Sequence, residues 1–206
     1  MSTNPQDAYL GIMTTIRRRL DVVRTLRASD ADEFSKAETS AFHGRKIVEG
    51  ISFACLVATE HGIKHVPRDA RGQWNAESII KSLSAKNLTT FPSPSVIRNA
   101  TPCEHEETNV AAVIEGVPDK RITPEELTQI YQRLHRWLHE VNPYVESDHE
   151  EFCSKHADPL WEDLARLEAF IDKHFVSISG EGFFCVLRDT QDGLTKVQPL
   201  SKVASI

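Results

Sequence analysis

The sequence lacks the features that mark an exported or membrane-embedded chain. No apolar run approaches the ~20 residues that a helix needs to cross a bilayer. The N-terminus has neither the basic start nor the apolar middle of a secretory signal peptide, so we expect no export by that route. The four cysteines, Cys55, Cys103, Cys153 and Cys185, lie far apart and form no CxxC pair. This pattern is typical of a reduced cytoplasmic protein, and we expect that location with no membrane association.

The chain also lacks an overall excess of positive charge. Its 24 Lys and Arg residues against 30 Asp and Glu residues give a net charge of −6, which argues against broad, non-specific binding to nucleic acid. A local basic surface remains open, because five arginines make the N-terminal segment basic: Arg17, Arg18, Arg19, Arg24 and Arg27. A solvated helix face explains the same arginines more simply. No phosphate-binding glycine loop, serine nucleophile elbow or dinucleotide fingerprint is present.

Hydrophobic spacing predicts four or five main helices in residues 1–174. Apolar residues recur every three to four positions in each of them, which is the period of one helix face. Thr123, Pro124 and Glu126 form a strong helix start with a capping box, and Asn142-Pro143 ends that helix. Ser147 to Glu150 is another candidate capping box. The predicted helices span residues 6–28, 30–62, 75–84, 123–142 and 158–173.

The second predicted helix combines a seam of small residues with a polar stripe. The seam consists of Phe34, Ala37, Ala41, Gly44, Val48, Ile51, Cys55 and Ala58, so a neighbouring helix can approach closely. Arg45 and Glu49 in the stripe are one turn apart and able to pair. A buried charge needs a partner. We therefore expect this pair to be either an internal or interface salt bridge or the charged support of a site.

The remaining segments predict an insertion and a small sheet. Prolines at positions 92, 94, 102 and 118 break any helix, so residues 85–122 are predicted to be an irregular insertion with a strand at 109–116. The period then switches to that of strands at 175–179, 183–188 and 194–200. The predicted fold class is mainly α: a helical bundle over residues 1–174 with a small C-terminal antiparallel β-meander (α+β) at 175–206.

The segment 131–144 is the most informative for chemistry, because two histidines and two arginines crowd one helix end there. His135 and His139 share a face of that helix, as do Arg136 and His139. Arg133 lies about 120° round the helix from His139, so the two converge only if the helix end distorts or the side chains reach. The candidate catalytic residues are His139, Arg133 and Arg136, and the candidate supporting residues are Glu49, Arg45, His135 and Asn142.

An arginine followed four to six residues later by a histidine, late in a helical bundle, resembles the motif of the HEPN superfamily. Arg133 and His139 match that motif with five residues between them, and Arg45 to Glu49 resembles the superfamily's second helix. The resemblance covers about residues 6–174. It implies a helical bundle that dimerises and places two Arg/His sets in one cleft. It also implies a metal-independent endoribonuclease of the kind found among toxins and antiviral defence proteins.

Under that resemblance the expected chemistry needs no cofactor. RNA cleavage without a metal requires a base for the 2′-hydroxyl, a cation for the charge on the phosphorane and an acid for the leaving oxygen. His139 can serve as base or acid, and Arg133 or Arg136 can bind the phosphate. His139 lies at a polar helix end, so we expect substitution of His139 or Arg133 to leave the melting temperature nearly unchanged.

Other functions remain open at this point. The first is a non-catalytic helical binding or scaffold protein, such as an immunity protein, an antitoxin or an interaction module. The net negative charge favours a non-catalytic protein. Leu134 favours it too, because active HEPN members usually carry a polar residue at that position. The expected partners are a second copy of the chain, bound through the second helix or the Arg/His helix, together with RNA or another protein.

A metal site is the weakest alternative. His135 and His139 have ligand spacing on one helix, and two other pairs could add ligands: Cys103 with His105, and Cys153 with His156. None of these spacings matches a standard zinc signature, so we predict no metal.

Overall fold

A computed structural model of the chain describes residues 4–60, 73, 75–85, 90–142, 144–178 and 181–200. Within these residues the helices are α1 (Pro5–Arg27), α2 (Glu33–Glu60), α3 (Ala76–Ala85), α4 (Pro102–Thr108), α5 (Pro124–Arg136) and α6 (His149–Ile171). The strands are β1 (Ser93–Asn99), β2 (Ala112–Gly116), β3 (Lys173–Ile178), β4 (Glu181–Val186) and β5 (Lys196–Pro199). The predicted fold class, a mainly helical bundle with a small antiparallel sheet, is confirmed. None of the described helices is both long and apolar enough to span a membrane.

Helix α1 begins and packs as its sequence predicts. The side chain of Asn4 caps it by accepting a hydrogen bond from the backbone N–H of Gln6 at 3.1 Å, and Pro5 occupies the first turn. One face is buried against α2 and the rest of the core, and it consists of Tyr9, Met13, Ile16, Leu20 and Val23. The predicted boundaries of 6–28 are therefore confirmed within one residue.

Helix α2 lies at the centre of the bundle and touches α1, α3, α5 and α6. Its small-residue seam allows this close packing, as predicted. A Cβ atom at Gly44 would lie 2.6 Å from the Cδ2 atom of Leu164 on α6 and 3.1 Å from that of Leu134 on α5. Gly44 therefore sets how closely three helices approach one another. The predicted C-terminal end of this helix at residue 62 lies outside the described residues.

Helix α5 starts where predicted and ends earlier than predicted. Thr123 and Glu126 form the expected capping box, with their two backbone–side-chain hydrogen bonds at 2.8 and 3.1 Å. The α-helix stops at Arg136, and the chain tightens into a turn in which the N–H of Leu138 bonds to the carbonyl of His135 at 3.1 Å. Trp137 in this turn is buried against Phe152 of α6. The prediction of a helix to residue 142 was wrong, and His139 lies beyond the helix end.

Helix α6 contradicts the prediction of a helix starting at residue 158. It begins at His149, capped by the side chain of Asp148, which accepts from the N–H of Glu151 at 2.9 Å. The cap thus lies one residue beyond the predicted box at Ser147 to Glu150. Pro159 sits inside the helix, where it removes one backbone donor. Burial of apolar residues on both sides of the proline holds the helix together, including Phe152, Leu160, Leu164 and Leu167.

The sheet contains five antiparallel strands in the order β2-β1-β3-β4-β5. Strands β3 to β5 form the predicted C-terminal meander, with boundaries shifted by about two residues. The segment 85–122, predicted to be irregular with one strand, instead carries two strands with α4 between them. Its hairpin joins the meander through Ser93 opposite Phe175 and Pro94 opposite His174. Ile97 faces Ile114 across this hairpin, and such a pair of β-branched residues stabilises neighbouring strands.

A buried hydrogen bond joins the N-terminal helix to the sheet. His174 on β3 accepts the hydroxyl proton of Tyr9 at Nε2 over 2.8 Å, while its Nδ1 donates to the carbonyl of Ile171 at 3.0 Å. Burial lowers the pKa of His174 from 6.5 to about 4. Burial also raises the pKa of Tyr9 well above its usual value, so the hydroxyl keeps its proton. The neutral imidazole is therefore the form that the fold requires.

This histidine makes folding stability depend on pH. Between its unfolded pKa of 6.5 and its folded pKa of about 4, the unfolded chain binds more protons than the folded chain. The contribution of His174 to stability is complete above its unfolded pKa of 6.5, and it is lost as the pH falls toward its folded pKa of about 4. Wild type should lose about 2 kcal/mol of unfolding free energy between about pH 7.5 and about pH 5 from this group. Urea unfolding at both pH values measures this loss of unfolding free energy. The loss should be smaller in His174→Gln than in wild type by about 2 kcal/mol. An equal loss in the two proteins would contradict a neutral, buried His174.

Two glycines should respond oppositely to the same substitution. Gly11 on α1 has open space around it, with nothing within 4 Å of an added Cβ atom, so Gly11→Ala should raise the unfolding free energy by about 1 kcal/mol through helix propensity alone. Gly44→Ala should lower it by about 1–3 kcal/mol, because Leu134 and Leu164 are buried and have to shift. Urea unfolding of both variants measures the contrast. A destabilised Gly11→Ala or a stabilised Gly44→Ala would contradict the packing described.

Candidate functional site

Helix α5 divides its polar residues between two neighbours. Tyr131 and His135 are one turn apart and contact α2, whereas Arg133 and Arg136 contact α6. This division follows from the helical period, because residues three or four apart share a face and residues two apart do not. The candidate residues therefore form two clusters, one on each side of α5.

The cluster on the α2 side is built around a nearly buried carboxylate. Glu49 is 8% exposed, and its charge is balanced by Arg45 Nε at 3.3 Å and by Lys46 Nζ at 2.6 Å. Arg45 also donates to the hydroxyl of Tyr131 at 3.1 Å and lies over that ring, 5.1 Å from its centroid. The predicted Arg45–Glu49 pair is thus present as an internal ion pair that reaches across to α5.

Arg45 fixes the tautomers of two histidines in sequence. Its Nη1 lies 2.8 Å from Nδ1 of His135, and a guanidinium can only donate, so that Nδ1 accepts. The proton of neutral His135 is then on Nε2, which lies 3.1 Å from Nε2 of His139. His139 must accept there and carry its own proton on Nδ1. If His139 donated to Nε2 of His135 instead, neither nitrogen of His135 would carry a proton. A neutral imidazole carries one proton, so this arrangement is excluded.

His135 is held in its neutral form. Partial burial lowers its pKa, and the positive charge of Arg45 and the neighbouring His139 lower it further. It therefore remains an acceptor for Arg45 and a donor to His139 at neutral pH. His139 itself is exposed, and within the described part of the chain no hydrogen bond to its Nδ1 is found.

The cluster on the α6 side takes Arg133 away from His139. Nε and Nη2 of Arg133 donate to the two carboxylate oxygens of Asp163, each over 2.7 Å. Asp163 is buried, and its hydrogen bonds raise the pKa of Arg133. Arg133 and His139, the pair that matches the resemblance, are therefore brought to different sides of α5 within one chain.

Arg136 keeps a more open position. Its Nη1 is 3.5 Å from both ring nitrogens of His156, so neither nitrogen is a close hydrogen-bond partner. His156 in turn lies 3.4 Å from the carboxylate of the buried Glu146. A cavity of about 40 Å³ between α5 and α6 is lined by both arginines, His156 and Asp163. No carboxylate pairs with Arg136 in the part of the chain that the structure describes.

Asn142 has a structural role in the turn after His139. Its side-chain oxygen accepts from the N–H of Tyr144 at 3.0 Å, and its carbonyl accepts from the N–H groups of Val145 and Glu146. This turn presents the ring of Tyr144, which is 97% exposed, beside the His139 end of α5. Asn142 therefore supports the site by shaping the loop that follows His139.

Sequence reasoning missed Asp163 as a site residue, although a signal was present. Asp163 interrupts the apolar face formed by Leu160, Leu164 and Leu167, and a charge on a buried face needs a partner. Tyr131 is a second residue absent from the predicted site, and its hydroxyl touches both Arg45 and Glu49.

The residues considered as metal ligands do not converge. Among the residues that the structure places, no three His, Cys, Asp or Glu side chains are grouped so that they could hold a metal ion. The ring of His105 contacts the carbonyl of Val110, Cys103 contacts Glu107, and His156 contacts Glu146. His135 and His139 therefore have no third ligand of these types among the described side chains.

Comparison with known proteins gave no relative: no family model, no curated protein and no solved structure matches the chain.

The Arg133–Asp163 pair should hold α5 to α6. Hydrogen bonds to charged groups contribute roughly 1.5–3 kcal/mol, so Arg133→Met and Asp163→Asn should each lower the unfolding free energy by about 1–3 kcal/mol. A double-mutant cycle should give a coupling energy of about 1–2 kcal/mol. This expectation replaces the sequence-based one that Arg133 can be removed without loss of stability.

A matched control joins the same two helices at the surface. Arg166 on α6 pairs with Glu126 on α5 at 2.7 Å, with both side chains more than a third exposed. Arg166→Met should change the unfolding free energy by less than about 1 kcal/mol. If Arg133→Met costs no more than Arg166→Met, Arg133 is not the structural tie described.

Proposed function

We propose that this chain is a metal-independent endoribonuclease whose proton-transfer group is His139. The observation that supports this most is the hydrogen-bond chain from Arg45 through His135 to His139. A nearly buried charge pair thereby orients an exposed imidazole that no packing requirement holds. Orientation of a histidine by a second group is a general feature of acid–base sites.

The resting arrangement defines the first step of the reaction. In the resting protein the lone pair on Nε2 of His139 accepts from His135, which sets the ring and its tautomer before RNA binds. A ribose 2′-hydroxyl then replaces His135 as the donor to Nε2, and the proton on Nδ1 stays in place. His139 takes the 2′-hydroxyl proton, and the 2′-oxygen attacks the adjacent phosphorus. The bond from phosphorus to the 5′-oxygen breaks, and the imidazolium returns its proton to that oxygen. The products are a 2′,3′-cyclic phosphate and a 5′-hydroxyl, with no change in oxidation state.

Arg136 is the cation of this proposal, and Arg133 is a positioning residue. Arg136 is exposed and its contacts to His156 are long, at 3.5 Å, so its donors remain available for phosphate oxygens. Nε and Nη2 of Arg133 already donate hydrogen bonds to the carboxylate of Asp163. Arg133 therefore acts by holding α5 against α6, which fixes the helix end that carries His139.

The active form in this proposal is a cytoplasmic homodimer of the toxin or defence type, assembled at the His139 end of α5. Tyr144 and Val145 support that surface, because they are 97% and 63% exposed on a turn held by backbone hydrogen bonds. A second copy there would bring its own His139 and Arg136 to the same region. A reducing location fits the four unpaired cysteines, of which Cys55 and Cys185 are buried.

The second candidate is a non-catalytic helical binding or scaffold protein, such as an immunity protein or an antitoxin. The Arg133–Asp163 pair favours it, because the arginine of the resembled motif is engaged in holding two helices together. In this case His135 and His139 bind a partner surface and no bond is cleaved.

Cleavage of RNA by purified protein separates the two candidates. His139→Ala should reduce the cleavage rate by about 10²–10⁴-fold, as expected for loss of a general base or acid. The melting temperature should change little, since His139 is exposed. Products from a labelled RNA pool should end in a 2′,3′-cyclic phosphate, and EDTA should leave the rate unchanged.

His105→Ala is the matched control. His105 is also exposed, but it lies on α4 and contacts the carbonyl of Val110, so its substitution should leave cleavage at the wild-type rate. Equal survival of RNA with wild type and His139→Ala would contradict the ribonuclease proposal and leave the binding protein. Cleavage that EDTA blocks would contradict the metal-independent step.

A further inference from the structure

A groove runs along the outer surface of the α1–α2 pair; it contains neither His139 nor Arg136, although Lys46 and Glu49 belong both to its lining and to the charged cluster on α2. Its volume is about 370 Å³, and its apolar floor is formed by Ile12, Ile16 and Phe53. Gly11 and Gly50 also line the groove and leave it open because they have no side chains. At Gly11 nothing lies within 4 Å of an added Cβ atom. The two helices therefore pack closely below the groove while leaving an open channel above it.

Exposed apolar side chains continue the groove beyond its floor. Phe42 on α2 is 44% exposed and Val22 on α1 is 40% exposed. Phe42 lies one helical turn before Lys46 on α2, and Val22 lies one turn after Arg19 on α1. Each therefore shares a helix face with a residue that lines the groove. The lining residues on α1 run from Ala8 to Arg19, so the groove extends about 16 Å along that helix, at 1.5 Å per residue. This length matches three turns of a docked helix.

The charges beside the channel are mainly positive. Arg19 and Lys46 line it, and the one acidic residue among the described lining residues is Glu49, whose carboxylate is already balanced by Arg45 and Lys46. Arg19 lies 3.4 Å from Nδ1 of His43, whose pKa is lowered by burial and then by that arginine. No carboxylate pairs with Arg19 among the residues that the structure describes. An occupant with carboxylates would therefore gain a favourable interaction.

We propose that this groove binds the apolar face of an acidic amphipathic helix from a partner protein. Leucine-like side chains at three-to-four spacing fill the channel over Gly11, Ile12 and Phe53. Flanking glutamates face Arg19, which pairs with no carboxylate among the described residues, and lie near Lys46, which already pairs with Glu49. This is the helix-in-groove mode of recognition, in which apolar anchors supply affinity and charges supply orientation. The proposal does not depend on RNA cleavage, because its residues are separate from His139.

The same charges disfavour two other occupants. A second copy, docked through the same face, would set Arg19 and Lys46 against a surface with the same positive excess. RNA would meet only two cations among the described lining residues and a floor dominated by aliphatic side chains, which offer little stacking. The acidic helix satisfies both the apolar floor and the cations.

The test uses two synthetic helical peptides of about 16 residues, the length set by the helical rise. Both carry leucines at three-to-four spacing, one with flanking glutamates and the other with lysines at the same positions. In fluorescence anisotropy the acidic peptide should bind wild type at least about tenfold more tightly than the basic one, and added salt should weaken it. Equal binding of the two peptides, or no binding of the acidic one, would overturn the proposal.

Variants then locate the binding. Gly11→Trp fills open space in the groove and should weaken the acidic peptide at least about tenfold, the effect of losing a central anchor. Gly116→Trp is the matched control, because Gly116 on β2 also has nothing within 4 Å, and it should bind as wild type does. Arg19→Glu should reverse the preference toward the basic peptide. A circular dichroism spectrum of each variant that matches wild type checks that the fold is retained.

Other outcomes assign the groove elsewhere and contradict the proposal. Loss of self-association in Gly11→Trp, measured by light scattering, would make the occupant a second copy. Displacement of the acidic peptide by a single-stranded RNA, lost in Gly11→Trp but not in Gly116→Trp, would make it RNA. Failure of RNA cleavage leaves these binding results unaffected, so the two proposals fail separately.

Discussion

The candidate site depends on one constraint, which is that the charge of Glu49 must be balanced. Its carboxylate is nearly buried on the central helix α2, and an unbalanced charge there would strongly destabilise the fold. Arg45 and Lys46 balance it, and Arg45 is held where the same Nε also reaches the Tyr131 hydroxyl and its Nη1 reaches His135. The orientation of His135, and through it of His139, follows from balancing one carboxylate. The site and the helix packing therefore share the same residues.

The helical period explains why α5 serves two purposes at once. Its Tyr131–His135 face is tied to α2, and its Arg133–Arg136 face is directed at α6. Tyr131, Arg133 and His135 thus hold helices in place. His139 and Arg136, together with the ring of Tyr144, are exposed groups at this end of α5 that can meet another molecule.

Local rules predicted the parts of the fold that depend on neighbouring residues. The cap at Asn4 and the box at Thr123 and Glu126 follow from the hydrogen-bonding needs of a helix start, and both ends of α1 could be predicted to within one residue. The small residue at Gly44 correctly indicated a close approach between helices.

Long-range packing determined what the sequence could not show. The burial of Trp137 against α6 ends α5 early and moves His139 off the helix, and no local pattern signals this. Apolar contacts on both sides of Pro159 carry α6 through a residue that usually ends a helix. Arg133 was placed in the site because its partner, Asp163, is thirty residues away in the chain. The pairing of β1 with β3 likewise depends on residues about eighty positions apart.

The charged pair on α2 fixes the tautomers of His135 and His139 through the donors of Arg45. Long-range proton–nitrogen NMR spectra of the imidazole rings at neutral pH measure those tautomers directly. We expect His135 to carry its proton on Nε2 and His139 on Nδ1, and Arg45→Met to allow both rings to mix tautomers. A wild-type spectrum with the His139 proton on Nε2, or one unchanged by Arg45→Met, would contradict this assignment of the tautomers.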